Sequence, residues 1–464
     1  MLKVLKTSEM KKTTTKTKNS KSVAAEPRLR FFNYWTRSIE SFAPTGESVG
    51  LYCCGPTVYN TVHIGNLRTF IFEDVLARTL AYFGYPVRQV MNLTDVDDKT
   101  IAGAAAAGLQ LGDFTQQWIA RFYTDRDKLG IAPANVYPRA TEHISEMITL
   151  IEQLMAKGLA YEADGSVYFA VHKFADYGKL SQIDLAGLKA GARVDVDEYT
   201  KEAAQDFVLW KGAHSEDETV GAVWDGPHGL RGRPGWHIEC SAMSMKYLGE
   251  TFDIHSGGID LLFPHHEDEV AQSVGATGQP FARFFLEAEH LLVDGIKMAK
   301  SAKNFYTLAE IEERGFEPAA FRYLVLSAHY RSKLNFTWES LAGASQALAH
   351  IRQGFYRPAK RIDQVVVTKI ETALADDLDM PKVLALLQTA DNPVLWRQFE
   401  AVLGLGLAAR AEANQVVLEM VKERELARLA KDFVKSDQLR GEIAAQGWEV
   451  EDTPGGPRLI PRSS

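Results

Sequence analysis

The most constraining stretch of the chain lies between Gly50 and Met91. Gly50-Leu51-Tyr52-Cys53 reads as a short buried strand, and Cys54-Gly55-Pro56-Thr57 as the loop after it. Leu67, Ile71, Val75, Leu80 and Phe83 then recur at three-to-five spacing, which predicts a helix face. Gly84 ends that helix, and Pro86-Val87-Arg88-Gln89-Val90-Met91 reads as the next strand. A strand–helix–strand unit commits the region to a parallel sheet, because parallel strands are joined by a crossover and not by a hairpin. The fold class is therefore α/β.

Further along, apolar residues at 144, 147, 148, 151, 154 and 155 predict a second helix stopped by Gly158. Residues 159–171 alternate around Asp164-Gly165, a hairpin signal. The region from about 120 to 230 interrupts the α/β pattern and reads as an insertion. The pattern resumes near Trp236 and runs to about 330. From Asn335 the chain is Ala/Leu-rich and helical, and Trp448-Glu449-Val450 reads as a strand before a Pro-Gly-Gly turn. No run of about 18 apolar residues is present, so no membrane span is expected. Three cysteines, Cys53, Cys54 and Cys240, cannot make a disulfide framework, which points to a reducing, cytoplasmic compartment.

Net charge is −8 over 464 residues, yet residues 1–30 carry nine Lys/Arg and two Glu, a net of +7. The rest therefore holds −15, and any nucleic acid must meet local basic patches rather than a basic whole. Residues 1–28 read as a disordered basic tail; a targeting peptide is the alternative reading, and Met10 a second candidate start.

Four constellations carry chemistry. His63-Ile64-Gly65-Asn66 lies between strand and helix, where free N–H groups and the helix dipole favour phosphate. His63 and Asn66 can donate to phosphate oxygens, and Gly65 allows close backbone approach. Lys297-Met298-Ala299-Lys300-Ser301 offers two lysines, Lys297 and Lys300, to neutralise polyphosphate charge, with a solvated basic turn as the alternative. Cys54, Cys240 and the i, i+4 pair His265 and Glu269 offer two thiolates, an imidazole and a carboxylate, a tetrahedral Zn²⁺ set. The alternative is a charged helix cap with small core cysteines. In Ser256-Gly257-Gly258-Ile259-Asp260, Gly257 and Gly258 permit close approach of a sugar or base, and Asp260 can accept from ribose hydroxyls; a strand-end turn is the plain alternative. Cys53 is expected to face away from Cys54 and to pack in the core.

Cys54-Gly55-Pro56-Thr57-Val58-Tyr59-Asn60, the tetrad at His63, Asn92-Leu93-Thr94-Asp95-Val96-Asp97-Asp98-Lys99, Gly235–Met243, Phe263–Glu267 and the Lys297–Ser301 loop together resemble the cysteinyl-tRNA synthetase family, with matching segments from about Leu29 to Leu459. The resemblance implies a class I Rossmann-type parallel sheet with an inserted connective domain, then a mainly helical C-terminal region. The expected parts are the tail (1–28), the first catalytic half (29–120), the insertion (121–230), the second half (231–334), a stem-contact and helical region (335–410) and an anticodon-binding region (411–464). It implies one Zn²⁺ on Cys54, Cys240, His265 and Glu269. It also implies ATP with Mg²⁺ on both loops, and an amino-acid pocket containing Gly55, Thr57, Thr94 and Trp236. Asn66 stands where the tetrad ends in His, Ala299 where the loop has Ser, and the helical region between Pro381 and Leu405 is short.

The implied activity is ligation of L-cysteine to tRNA(Cys) through cysteinyl adenylate, by a monomer with no membrane partner. A ligase joining cysteine to an amino-sugar shares the fold and both ATP motifs and is the competing enzyme reading. A paralogue that only binds RNA or zinc is the non-enzymatic one. Phe433, Asp437 and Arg440 share one helix face and are expected to meet the anticodon. Alternatively, Phe433 is core and the two charges pair with each other.

Overall fold

The computed structural model describes residues 28–183, 206–298, 304–355, 357–358, 360–407, 415–446, 448–453 and 456–461. The tail through 27 and the segment 299–303, which contains Ala299, Lys300 and Ser301, lie outside them.

Four strands form the expected parallel sheet, in the order Ala282–Ala288, Phe252–Gly258, Val49–Cys53, Val87–Met91. The helix Ile64–Tyr82 makes the crossover between the last two, and Gly84 leaves it at φ 83°, a conformation a side chain would strain. This helix buries more than the face read from the sequence. Leu67, Ile71, Val75 and Leu80 are buried, and so are Phe70, Phe72, Glu73 and Leu76. The sheet covers one side of it, and the helices Pro318–Leu326 and Pro393–Leu403 cover another. Phe83 lies just past its end, at the cap.

The sheet separates two cores. Leu51 and Cys53 pack into the one holding the crossover helix, and Tyr52 and Cys54 into the other, with the helices Trp236–Leu248 and Glu267–Thr277. Strand alternation thus sends the adjacent cysteines to opposite sides. Cys53 Sγ receives hydrogen bonds from Gln89 Nε2 and Ser256 Oγ, each 3.4 Å, as a packed core residue.

In the stretch expected to be an insertion, the described residues form a five-stranded antiparallel sheet, in the order Ala160–Ala163, Ser166–Phe169, Phe207–Gly212, Arg231–Pro234, Trp224–Asp225. Asp164 and Gly165, at φ 51° and 74°, turn its first hairpin as the sequence predicts. The helix Leu111–Lys128 runs straight across 120/121, and Arg231–Pro234 completes the sheet beyond 230. Likewise the strand Leu334–Phe336 crosses 334/335. It pairs with Leu291–Val293, which turns back through Asp294-Gly295 into Ile296–Lys297.

Helices Trp338–Phe355, Gln364–Ala375, Met380–Ala390 and Pro393–Leu403 follow. The last part packs Gln415–Leu429 and Phe433–Ala445 against the hairpin Trp448–Thr453/Gly456–Pro461, around Val417, Val421, Ile443 and Val450. Among the described residues no helix is long and apolar enough to cross a membrane.

Candidate active site

The tetrad at His63, the cluster of Cys54, Cys240, His265 and Glu269, and the Gly257-Gly258 turn gather at the carboxyl ends of the parallel strands, where open α/β sheets bind ligands. Cys54 directly follows Val49–Cys53. Cys240 lies in the second turn of Trp236–Leu248. His265 sits in the irregular turn Leu262–His266, just before the helix Glu267–Thr277, and Glu269 in the first turn of that helix. The i, i+4 relation survives the irregularity, with His265 Nε2 3.1 Å from Glu269 Oε1.

One ligand atom from each of Cys54, Cys240, His265 and Glu269 lies within 4.8 Å of the other three, and all four residues are buried. Tetrahedral Zn²⁺ at about 2.0–2.3 Å from its donors separates them by roughly 3.3–3.8 Å, so the cluster fits the ion with small adjustments. Burial pushes the Cys54 thiol well up, and its hydrogen bond with Cys240 adds to that. Burial also acts upward on Cys240, but the bond from Cys54 and the nearby His265 outweigh it and bring this thiol to about 7. The two sulfurs are thus unlike: burial favours the thiol on Cys54, whereas Cys240 gives up its proton more readily. Burial would raise Glu269 as well, yet His255 and His265 hold it below the ordinary carboxylate range.

A second set, Cys54, His255, His266 and Glu269, meets the same distance condition. Sequence reasoning missed His255 and His266. His255 sits opposite Tyr52 in the sheet register, and only that register carries it to Cys54. Its Nε2 is 2.9 Å from Glu269 Oε2. Burial, helped by His255, pushes His266 down to about 3, and burial drives Glu287 well up. His266 Nδ1 lies 2.8 Å from Glu287 Oε1, and its Nε2 lies 3.4 Å from Cys54 Sγ. His237 Nδ1 meets His265 Nδ1 at 2.8 Å, which fixes the ring that presents Nε2.

The predicted amino-acid pocket borders this cluster. Trp236 stacks on His265, centroids 4.3 Å apart. Thr57 and Thr94 pair as an isolated bridge between the loops after two neighbouring strands. A Cβ on Gly55 would come within 1.8 Å of the Asn92 carbonyl oxygen, so only glycine fits.

His63 caps the crossover helix, its Nδ1 accepting from Gly65 N–H at 3.1 Å and Asn66 N–H at 3.2 Å, while Asn66 Oδ1 accepts from His63 N–H at 3.3 Å. This differs from the free helix end expected for phosphate: the ring itself satisfies two of the N–H groups. Capping through Nδ1 also fixes the tautomer, since the proton of neutral His63 must lie on Nε2, a donor. Met298, Phe305 and Tyr306, on either side of the segment 299–303, meet this turn. Ile64 N–H donates to Tyr306 O at 2.9 Å, Phe305 packs edge-on to His63, and a Cβ on Gly65 would fall 2.6 Å from Met298 Cε. Lys297 is exposed at the end of its short strand; Lys300 lies outside the described residues. Gly257 and Gly258 are buried at the end of Phe252–Gly258, and exposed Asp260 follows, its Oδ1 2.6 Å from where a Gly258 Cβ would stand.

In the C-terminal part, Phe433 opens the helix Phe433–Ala445 at 63% exposure. Asp437 and Arg440 are exposed too, away from buried Ser436, Leu439 and Ile443. Phe433 is therefore not a core residue. Among the described residues no ion pair joins Asp437 to Arg440.

Over residues 41–346 the chain matches the family of class I (C) tRNA synthetase catalytic domains. A relative from Chlamydia caviae named "Cysteine--tRNA ligase" is 43% identical over 472 aligned residues, spanning 94% of this chain and 99% of the relative. One of the same name from Methanosarcina mazei is 42% identical, across 93% and 98%. Among solved structures, Mycobacterium tuberculosis methionyl-tRNA synthetase in complex with methionyl-adenylate superposes with a TM-score of 0.53 at 15% identity, covering 82% of this chain and 84% of that one, a likeness of fold. Identity sustained over nearly the whole length, on top of a class I catalytic domain, establishes that the chain belongs to the cysteine--tRNA ligase family.

Proposed function

We propose that the chain joins L-cysteine to tRNA(Cys) in two steps, with one Zn²⁺ held by Cys54, Cys240, His265 and Glu269 choosing the amino acid. The observation that carries this is the buried two-sulfur, one-nitrogen, one-carboxylate cluster beside the nucleotide loops. His255 and His266 are already engaged by Glu269 and Glu287, which favours them as braces rather than ligands. Zn²⁺, when bound, supplies a soft Lewis-acid position that takes a thiolate readily and a serine hydroxyl poorly.

In the first step the substrate carboxylate attacks the α-phosphorus of ATP, bound with Mg²⁺, and pyrophosphate leaves. His63 donates from Nε2 and Asn66 from its amide to the phosphate oxygens; Lys297 and Lys300 neutralise the growing charge. Gly65, Gly257 and Gly258 let the nucleotide approach the backbone, and Asp260 accepts from its ribose. Gly55, Thr57, Thr94 and Trp236 wall the amino acid. In the second step a ribose hydroxyl of the terminal adenosine attacks the cysteinyl carbonyl and AMP leaves. Phe433, Asp437 and Arg440, in the 411–464 region, contact the tRNA.

The chain works as a cytoplasmic monomer in this reading, consistent with three free cysteines. Cysteine transfer to an amino-sugar is disfavoured because the relatives align through almost their full length, C-terminal part included. The test is cysteine-dependent ATP–pyrophosphate exchange followed by charging of unmodified tRNA. Exchange without charging would return the choice to the amino-sugar ligase, and absence of both would leave only a binding protein.

A further inference from the structure

Asn92 directly follows the strand Val87–Met91 and is 2% exposed. Both ends of its amide are engaged. Oδ1 accepts from the Gly55 backbone N–H at 2.8 Å, and Nδ2 donates to Thr94 Oγ1 at 3.1 Å. The amide cannot be reversed, since its NH₂ would then face an N–H. One side chain therefore ties the loop after Val49–Cys53 to the loop after Val87–Met91, on the side where Cys54 begins the metal cluster.

The Thr94 backbone is fixed as well. Its N–H donates to Pro56 O at 3.1 Å, and its carbonyl accepts from Val58 N–H at 3.0 Å. What remains to be set is the hydroxyl, with one proton and two lone pairs. Asn92 Nδ2 occupies one lone pair, which forbids the proton there. Its proton is left to turn to another acceptor. One Thr94 lone pair is left over. An α-ammonium group offers only donors, so this is the complement a bound amino acid needs.

We propose that Asn92 is a positioning residue for amino-acid recognition, holding the Thr94 hydroxyl so that its remaining lone pair receives an N–H of the substrate α-ammonium. This rests on the placement of Thr94 in the amino-acid pocket. Orientation of one polar partner is worth about tenfold in affinity.

The test measures cysteine KM, ATP KM and zinc content by pyrophosphate exchange and metal analysis in Asn92→Ala, Thr94→Val and the double variant. Expected are an approximately tenfold rise in cysteine KM for each single variant, unchanged ATP KM and zinc, and most of the Asn92→Ala penalty absent in the Thr94→Val background. If Thr94→Val raises the KM and Asn92→Ala does not, the positioning role fails while the pocket stands. If Thr94→Val has no effect, the pocket assignment itself fails. Zinc loss in Asn92→Ala, or penalties that simply add, overturn the proposal by giving Asn92 a role in the fold alone.

Discussion

The metal corner and the Phe433 face sit at opposite extremes. Cys54, Cys240, His265 and Glu269 are nearly or wholly inaccessible, and Cys54, His265 and Glu269 are each braced by a further buried histidine. Phe433, Asp437 and Arg440 stand in solvent on a small unit whose buried core, among the described residues, is Val417, Val421, Ile443 and Val450. Selection of one sulfur atom demands a dry, rigid donor set, because water competes with a thiolate and a loose set would accept other donors. Reading a macromolecule demands exposed groups that can wait for their partner. The nucleotide loops lie between, fastened through backbone bonds yet open to solvent at Asn66 and Lys297.

The comparison breaks most easily at the metal. Cys240→Ala removes one of the cluster's two sulfurs, and cysteine-dependent exchange should fall roughly 10³-fold or more with zinc lost from the protein. Retention of full zinc, read from the metal absorption edge, would overturn the ligand set. Next in size, Lys297→Ala should slow adenylation about 10²-fold, the scale of one preorganised charge donor, while cysteine binding without ATP stays nearly unchanged. The opposite split, affinity lost and chemistry kept, would remove Lys297 from the phosphate site.

Protons sharpen the contrast further. Zinc needs both sulfurs as thiolates, so its uptake expels whatever protons they carry. Cys54 is held protonated well above neutrality, whereas Cys240 changes near 7. Below pH 7 both protons must leave, and apparent zinc affinity should climb by nearly two log units per pH unit from the sulfurs alone; above it, only the Cys54 proton remains and the slope should approach one. Competition with a chelator across pH 6.5–8.5 measures this. A flat profile would mean that the sulfurs enter the site already ionised.

Much of this was legible in the sequence, for identifiable reasons. The crossover from Val49 to Met91 announces itself because Val49–Cys53 is almost wholly buried, Val87–Met91 is buried over its last three residues, and the helix carries its apolar residues at helical spacing. The i, i+4 closeness of His265 and Glu269 survives because the two are near neighbours in the chain. His255, His266 and Glu287 were not legible: strand register and the turn at Leu262–His266 bring them together, and neither leaves a linear trace. The edges of the insertion were blurred for a similar reason. Leu111–Lys128 carries its amphipathic pattern straight through residue 120, and Arg231–Pro234 joins its sheet by hydrogen bonds rather than by composition. His63 was placed correctly at a helix start, but its use of Nδ1 as a cap depends on a backbone angle that the sequence does not state.

The smallest expected effect belongs to the exposed face. Phe433 begins its helix with most of its ring in water, beside exposed Val434 and Leu429. An exposed aromatic costs a protein little stability to lose, so Phe433→Ala should leave the melting temperature and pyrophosphate exchange unchanged. If the ring stacks on an unpaired base, its loss removes about 1–3 kcal/mol from tRNA binding, and the KM for tRNA should rise tenfold or somewhat more. Arg440→Ala should weaken charging as well, and by less at higher salt, where a guanidinium contributes less to RNA affinity. Truncation at 411 is the coarser version: exchange should persist, because every proposed metal and ATP residue precedes it, and charging should fall steeply. Were exchange to vanish in a truncated protein that still binds zinc, the two regions would be coupled, and the division between a buried selector and an exposed reader would be wrong.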